Sequence, residues 1–137
     1  MNSFCYDKVF KTLKEYVPQN SEYSPDVNKT NEGDIFPKVV VEENDNRLLS
    51  RDNMRVTSIS SVDIVIDIYA RSKTVGTTTY SRRAIAIEIR NLCDEVCSDI
   101  YGMKRTLCKP TPNVDSDIYR ITMHFIANQN DMRNYLY

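Results

Sequence analysis

Two aspartates and the only histidine are the residues of this sequence that could do acid–base chemistry. Asp63 and Asp67 lie in "SVDIVIDIYA", where residues alternate as in a β-strand, so both carboxylates project from one face. A carboxylate pair can divide the roles of general acid and general base. His124 lies in a second alternating segment, beside Arg120 and Thr122. Because the sequence places no further group to divide these roles, we favour a solvated or subunit-facing sheet surface and predict no enzyme.

The patterns for phosphate and metal chemistry are incomplete. A phosphate-binding loop needs closely spaced glycines followed by lysine and a hydroxyl residue, whereas Gly33, Gly76 and Gly102 are far apart. A zinc site needs about four ligands, and the single histidine is distant in sequence from the cysteines. We therefore predict no metal and no cofactor, and free buried or half-buried thiols as in a reducing cytosol. The cysteines are Cys5, Cys93, Cys97 and Cys108.

A group of basic residues surrounds the segment "RSKTVGTTTY", which joins the alternating strand to a helical pattern. Basic side chains near a helix start oppose the helix dipole, so they indicate contact with phosphate or with an acidic partner surface. The net charge of −1 gives no global attraction to nucleic acid, so we favour a protein partner. The residues of this group are Arg71, Lys73, Arg82 and Arg83.

The elements that must position these residues form one domain by length, with 137 residues of which 41% are hydrophobic and 27% charged. We divide the chain into an N-terminal helix, a long polar loop, a core and a polar tail, at 1–17, 18–34, 35–128 and 129–137. No apolar run approaches the roughly 20 residues that span a bilayer, and the N-terminus lacks a signal-peptide pattern. We predict no membrane contact and an intracellular protein when made.

The periodicities within the core predict strand, long strand, helix, strand and strand. Pro18 is expected to end the first helix, and a flexible loop at 43–53 to separate "IFPKVVVEE" from a strand at 54–70. A flexible loop at 71–79 then leads to a helix from Thr79 to Ile100. We predict an α/β (α+β) domain with a mainly antiparallel sheet of about four strands, and two helices packed on one face.

The order of these segments resembles that of tail-terminator (tail-completion) proteins of long-tailed bacteriophages. The resemblance lies in a proline-led valine strand, "IFPKVVVEE", a long strand, "SSVDIVIDIYAR", a helix, "SRRAIAIEIRNLCDEV", and a closing strand, "DIYRITMHFIAN". It extends over roughly residues 34–130. The long loop at 18–34 and the two prolines within 103–116 depart from the family pattern, and they leave open a neighbouring role.

The resemblance implies a hexameric ring that caps the tail tube, ends tube polymerisation and forms the surface for head attachment. The implied partners are copies of the chain, the tail-tube protein and the head-completion connector, with DNA only passing through the ring lumen. The implied location is the host cytoplasm during assembly and then the head–tail junction of the virion tail. A head–tail connector or neck protein is the alternative, and a small nucleic-acid-binding domain or a small enzyme is less favoured. The predicted interface residues are Arg47, Arg51, Asp63, Asp67, Tyr69, Arg71, Lys73, Arg82 and Arg83.

Overall fold

The computed structural model describes residues 4–31, 35–52, 57–112, 115–130 and 135–136. Its helices are α1 (Phe4–Asn20), α2 (Arg82–Asp94) and a π-helical turn that continues α2 (Glu95–Ile100). Its strands are β1 (Asp26–Asn28), β2 (Lys38–Asp52), β3 (Thr57–Ala70), β4 (Lys73–Val75), β5 (Thr78–Tyr80), β6 (Lys104–Thr111), β7 (Tyr119–Asn130) and β8 (Tyr135–Leu136).

The main sheet has the strand order β1-β2-β3-β7-β6, and β8 pairs with the end of β7. Only β1 and β2 are parallel; the other neighbours run antiparallel. The prediction of a mainly antiparallel α+β domain with two helices is therefore confirmed. The predicted count of about four strands is too low, because β1 and β8 are too short to produce a recognisable alternation.

The core lies between one face of the sheet and the helices. Alternate residues of β3 from Val62 to Ile68 are fully buried on this face, and they pair with core residues of β7 such as Phe125. Helix α2 contributes Ile85 and Ile89 at helical spacing. The strand alternation predicted for this segment therefore holds, and it leaves Asp63, Asp67 and their row neighbours on the opposite face.

Both helices have boundaries that differ from those predicted. Helix α1 continues through Pro18 to Asn20. A proline has no N–H, so the backbone carbonyl four residues earlier loses its helical hydrogen bond. Here that carbonyl belongs to Lys14, which is exposed, so the helix tolerates the proline near its end. Helix α2 begins at Arg82 rather than Thr79, and the side chain of Ser81 caps it by accepting from the Ala84 N–H at 3.2 Å.

The predicted flexible loop at 43–53 is wrong over the described part of that range. Strand β2 continues through Asp52 and pairs with β3 along its length. Its register shifts between Glu43 and Asp45 and again between Leu48 and Ser50. Each bulge inserts an extra residue and so breaks the period-two pattern by which a strand is recognised in a sequence.

The predicted loops at 71–79 and 18–34 also contain strands. Strands β4 and β5 form a separate two-stranded hairpin, whose turn includes Gly76 at φ +64°. Strand β1 lies in the polar loop and pairs with β2 through three residues. Of the predicted tail, residues 129–130 and 135–136 belong to strands.

Among the helices of the described residues, none is both long and apolar enough to cross a membrane.

Candidate functional site

The face of the sheet that the helices leave uncovered contains most of the predicted chemistry, and we call it the open face. Odd-numbered residues of β3 from Asp63 to Tyr69 project from it. The strand register fixes their row neighbours, with Tyr69 opposite Arg120 and Asp67 opposite Thr122. Tyr69 is only 7% exposed. This face is therefore partly closed by its own side chains.

Asp67 is the centre of a hydrogen-bonded ion pair on the open face. Its Oδ1 accepts from Arg120 Nε at 3.0 Å and from Thr122 Oγ1 at 2.6 Å. Thr111 of the next strand donates its hydroxyl to Thr122 Oγ1 at 2.7 Å. The hydrogen bond that Arg120 donates to Asp67 raises the pKa of Arg120. The arrangement holds both charges in place and joins β3, β7 and β6.

Cations and aromatic rings alternate at the end of the open face nearest Tyr69. The Arg120 guanidinium and Lys38 Nζ each lie 5.3 Å from the Tyr69 ring centroid. Lys38 also lies 5.0 Å from the Phe36 ring, and the guanidinium of Arg71 lies 4.6 Å from that ring. Such contacts stabilise by about 0.5–2 kcal/mol each, depending on exposure.

This cation–aromatic ladder (Phe36, Lys38, Tyr69, Arg71 and Arg120) bears on the nucleic-acid alternative. Aromatic residues interleaved with basic ones on an open sheet are the pattern of single-strand binding, which uses the exposed faces of the rings for stacking. Here cations of the same chain lie against the Tyr69 ring, and burial raises the pKa of its phenol. The ladder therefore has the composition of a stacking platform, but its central ring is covered.

Asp63 has partners of its own at the other end of the open face. Its Oδ2 accepts from Asn44 Nδ2 at 3.0 Å and lies 3.5 Å from His124 Nδ1. Among the described residues, Oδ1 of Asp63 is buried without a hydrogen-bond partner. Asp63 and Asp67 share a face, as predicted, but Val65 lies between them and each has separate partners. The contact with Asn44 was missed because Asn44 was assigned to a loop.

The four predicted basic residues do not form one cluster. Arg71 turns towards the open face and pairs with Asp115, with 3.1 Å between Nη2 and Oδ2. Lys73 lies half-buried in the separate hairpin, while Arg82 and Arg83 are exposed in the first turn of α2. The hairpin separates the residues that the sequence places near one another.

A small pocket of about 210 Å³ lies beside α2 and the outer strand β6. Its lining residues include the cations Arg83, Arg90 and Lys109, and none of those within the described ranges is acidic. Arg90 donates to the side chain of its neighbour Asn91 at 3.0 Å. The volume is below the roughly 300–1,000 Å³ of typical small-molecule sites, so the pocket suits a single anionic group. The spacing of Arg83 and Arg90, seven residues apart on a helix, is the sequence signal that predicts their shared face.

The remaining predicted interface residues lie on β2. Arg47 is exposed, and its Nη2 lies 3.7 Å from Asp45 Oδ2. Arg51 lies further along the same strand. Leu48 and Leu49, which the sequence analysis did not select, are 55% and 52% exposed.

The thiols lie on the helix side of the sheet, and Cys108 is among the residues that line the pocket. Cys5, Cys93 and Cys97 are fully buried, and Cys108 is half-buried. Burial raises the pKa of Cys5 and of Cys93 to about 12 and that of Cys97 well above its usual value. In the part of the chain that the structure describes, no three Cys, His, Asp or Glu side chains are grouped to hold a metal ion.

Comparison of the sequence with protein-family models and with curated proteins finds no match in either.

Proposed function

We propose that this chain is a structural assembly subunit of the tail-terminator type. It would cap a tail tube as a ring of copies and provide the surface to which the head connector binds. The observation that supports this proposal most strongly is the outer edge of β2. Over the described residues, β1 pairs with β2 only from Lys38 to Val40, and no strand pairs with its outer side beyond that. An open strand edge is a template for pairing with another chain.

The end of β2 adds an apolar contact surface. Leu48 and Leu49 are adjacent and exposed on a strand that is otherwise largely polar in this region. The bulge between Leu48 and Ser50 bends the strand at this point, so the end of β2 departs from the direction of a regular strand. Exposed apolar residues next to one another on a strand edge fit a protein partner better than solvent. We assign them to the tail-tube protein.

Capping of tubes in vitro tests this proposal. Purified tail-tube protein from the same particle is polymerised with and without the chain, and tube lengths are measured by electron microscopy. We expect short, capped tubes with the wild-type chain and longer tubes with Leu48→Ser/Leu49→Ser. Ile100→Ser is the matched control, since Ile100 is 53% exposed but lies on the π-helical turn. Tubes of unchanged length with the wild-type chain would refute the capping function.

A further inference from the structure

The two outer edges of the main sheet have opposite charge. On β2, the stretch that follows its contact with β1 and Val41 is net acidic, because Glu42, Glu43 and Asp45 outnumber Arg47, whose Nη2 lies 3.7 Å from Asp45 Oδ2. On β6, the basic residues are Lys104, Arg105 and Lys109, all of them exposed. Arg83 and Arg90, which border the pocket beside β6, add to its positive charge.

Apart from Pro110 of β6, which has no N–H, both edges have backbone groups available for a further strand. In the described residues, β6 pairs with β7 on one side and with no strand on the other. Three successive antiparallel pairings separate β2 from β6, so the two strands run in opposite directions within one chain. If a second copy is placed beside the first in the same orientation, its β2 therefore runs antiparallel to β6. Antiparallel pairing is the commoner and slightly more stable kind.

The complementary charges also lie on one face of such a continued sheet. Glu42 is in register with Val65 and Asp45 with Asp63, both of which are open-face residues. Lys109 is in register with Thr122 and Lys104 with Ile126, also on the open face. Opposite charges on one face of neighbouring strands stabilise a pair, whereas like charges destabilise it.

We propose that the acidic edge of β2 pairs with the basic edge of β6 of a second copy, so that the sheet continues from one subunit to the next. This contact uses different surfaces on the two copies, and repeated contacts of this kind close into a ring or extend as a filament. Two β6 edges would oppose like charges and two β2 edges mostly like charges, so the charges favour the contact between β2 and β6. This contact rests on the assembly role proposed above, which explains why copies of the chain would associate.

Charge reversal on each edge tests the contact. One variant is Glu42→Lys/Asp45→Lys, and the other is Lys104→Glu/Lys109→Glu. Self-association is measured by sedimentation velocity at low ionic strength, up to a concentration of about 1 mM, where even a weak contact is detected. Each variant alone opposes like charges at every contact, so we expect its association to weaken by at least about tenfold. Mixed in equal amounts, each variant meets a complementary edge on the other, and we expect association within about threefold of the wild type.

The mixture also guards against misfolding, because an unfolded variant could not restore association. Lys11→Glu/Lys14→Glu on the exposed side of α1 is the matched control, and it should associate as the wild type does. The inference is overturned if the wild type remains monomeric at the highest concentration, if the mixture is no better than its components, or if the control is weakened equally.

Failure of this contact is distinguishable from failure of the proposed function. If wild-type chain shortens tubes while both charge-reversed variants self-associate normally, the edge contact is wrong and the capping function remains. If the mixture restores association but the chain leaves tube length unchanged, the edge contact remains and the capping function is wrong.

Discussion

Neutralising Asp67 should destabilise the protein more than neutralising any exposed aspartate. Asp67→Asn keeps the shape of the side chain but removes the charge that faces Arg120. The Asp67 and Arg120 side chains are 15% and 27% exposed, so the pair lies between the surface and the fully buried cases. Exposed pairs contribute up to about 1 kcal/mol, and breaking a fully buried pair costs about 3–5 kcal/mol. We therefore expect a loss of about 2 kcal/mol in the free energy of unfolding.

Urea unfolding followed by circular dichroism measures this loss, and thermal unfolding should show a Tm lower by about 8 °C. Asp115→Asn is the matched control, because Asp115 also pairs with an arginine, at 3.1 Å, but the two side chains are 50% and 45% exposed. Its expected cost is at most about 0.5 kcal/mol. The reasoning is refuted if Asp67→Asn costs less than about 0.5 kcal/mol or if the two substitutions cost the same.

Three further predictions concern the thiols and the start of α2. At pH 8, a thiol reagent should label Cys108 first. The three buried cysteines should react only at the rate of unfolding, because their burial excludes the reagent and their raised pKa values keep the thiols protonated. Fast labelling of all four cysteines would contradict this burial. The free energy of unfolding should fall above pH 9 by about 1.4 kcal/mol per pH unit for each buried thiol, because the thiol loses its proton at a lower pH in the unfolded chain than in the folded one. Urea titrations that show no loss of stability up to pH 10.5 would exclude this effect. Arg82→Glu/Arg83→Glu replaces charges that oppose the dipole at the start of α2, so it should not lower the urea midpoint. It should nevertheless impair head–tail joining in a complementation assay, and normal joining would remove these residues from the interface.

Strong periodicity made the central elements predictable from the sequence. The alternation from Val62 to Ile68 and the helical spacing of Ile85 and Ile89 are produced directly by burial on one face, so they identify both the elements and their orientation. Gly102 lies just beyond the π-helical turn and has φ +64°, a conformation that favours glycine after a helix end. The open face and its aspartates follow from the same alternation.

Features that depend on pairing between distant segments could not be predicted in this way. The bulges of β2 shift its register twice, so its polar residues resemble a loop in sequence. The cation–aromatic ladder brings together side chains from β2, β3, β7 and the segments flanking them, and no local pattern indicates that Phe36 lies against Arg71. Likewise, the opposite charge of β2 and β6 becomes apparent only when both are known to be outer strands.

Imaging of particles made without the chain shows whether it ends tail-tube growth, as proposed. The encoding gene is deleted from the particle-producing genome, and tail lengths are measured by electron microscopy with and without the gene supplied in trans. If the chain ends tube growth, particles made without it should have tails of excessive and variable length and no attached heads. Complementation should restore normal particles. Tails of normal length lying beside unjoined heads would contradict it and would assign the chain to the head–tail connector instead.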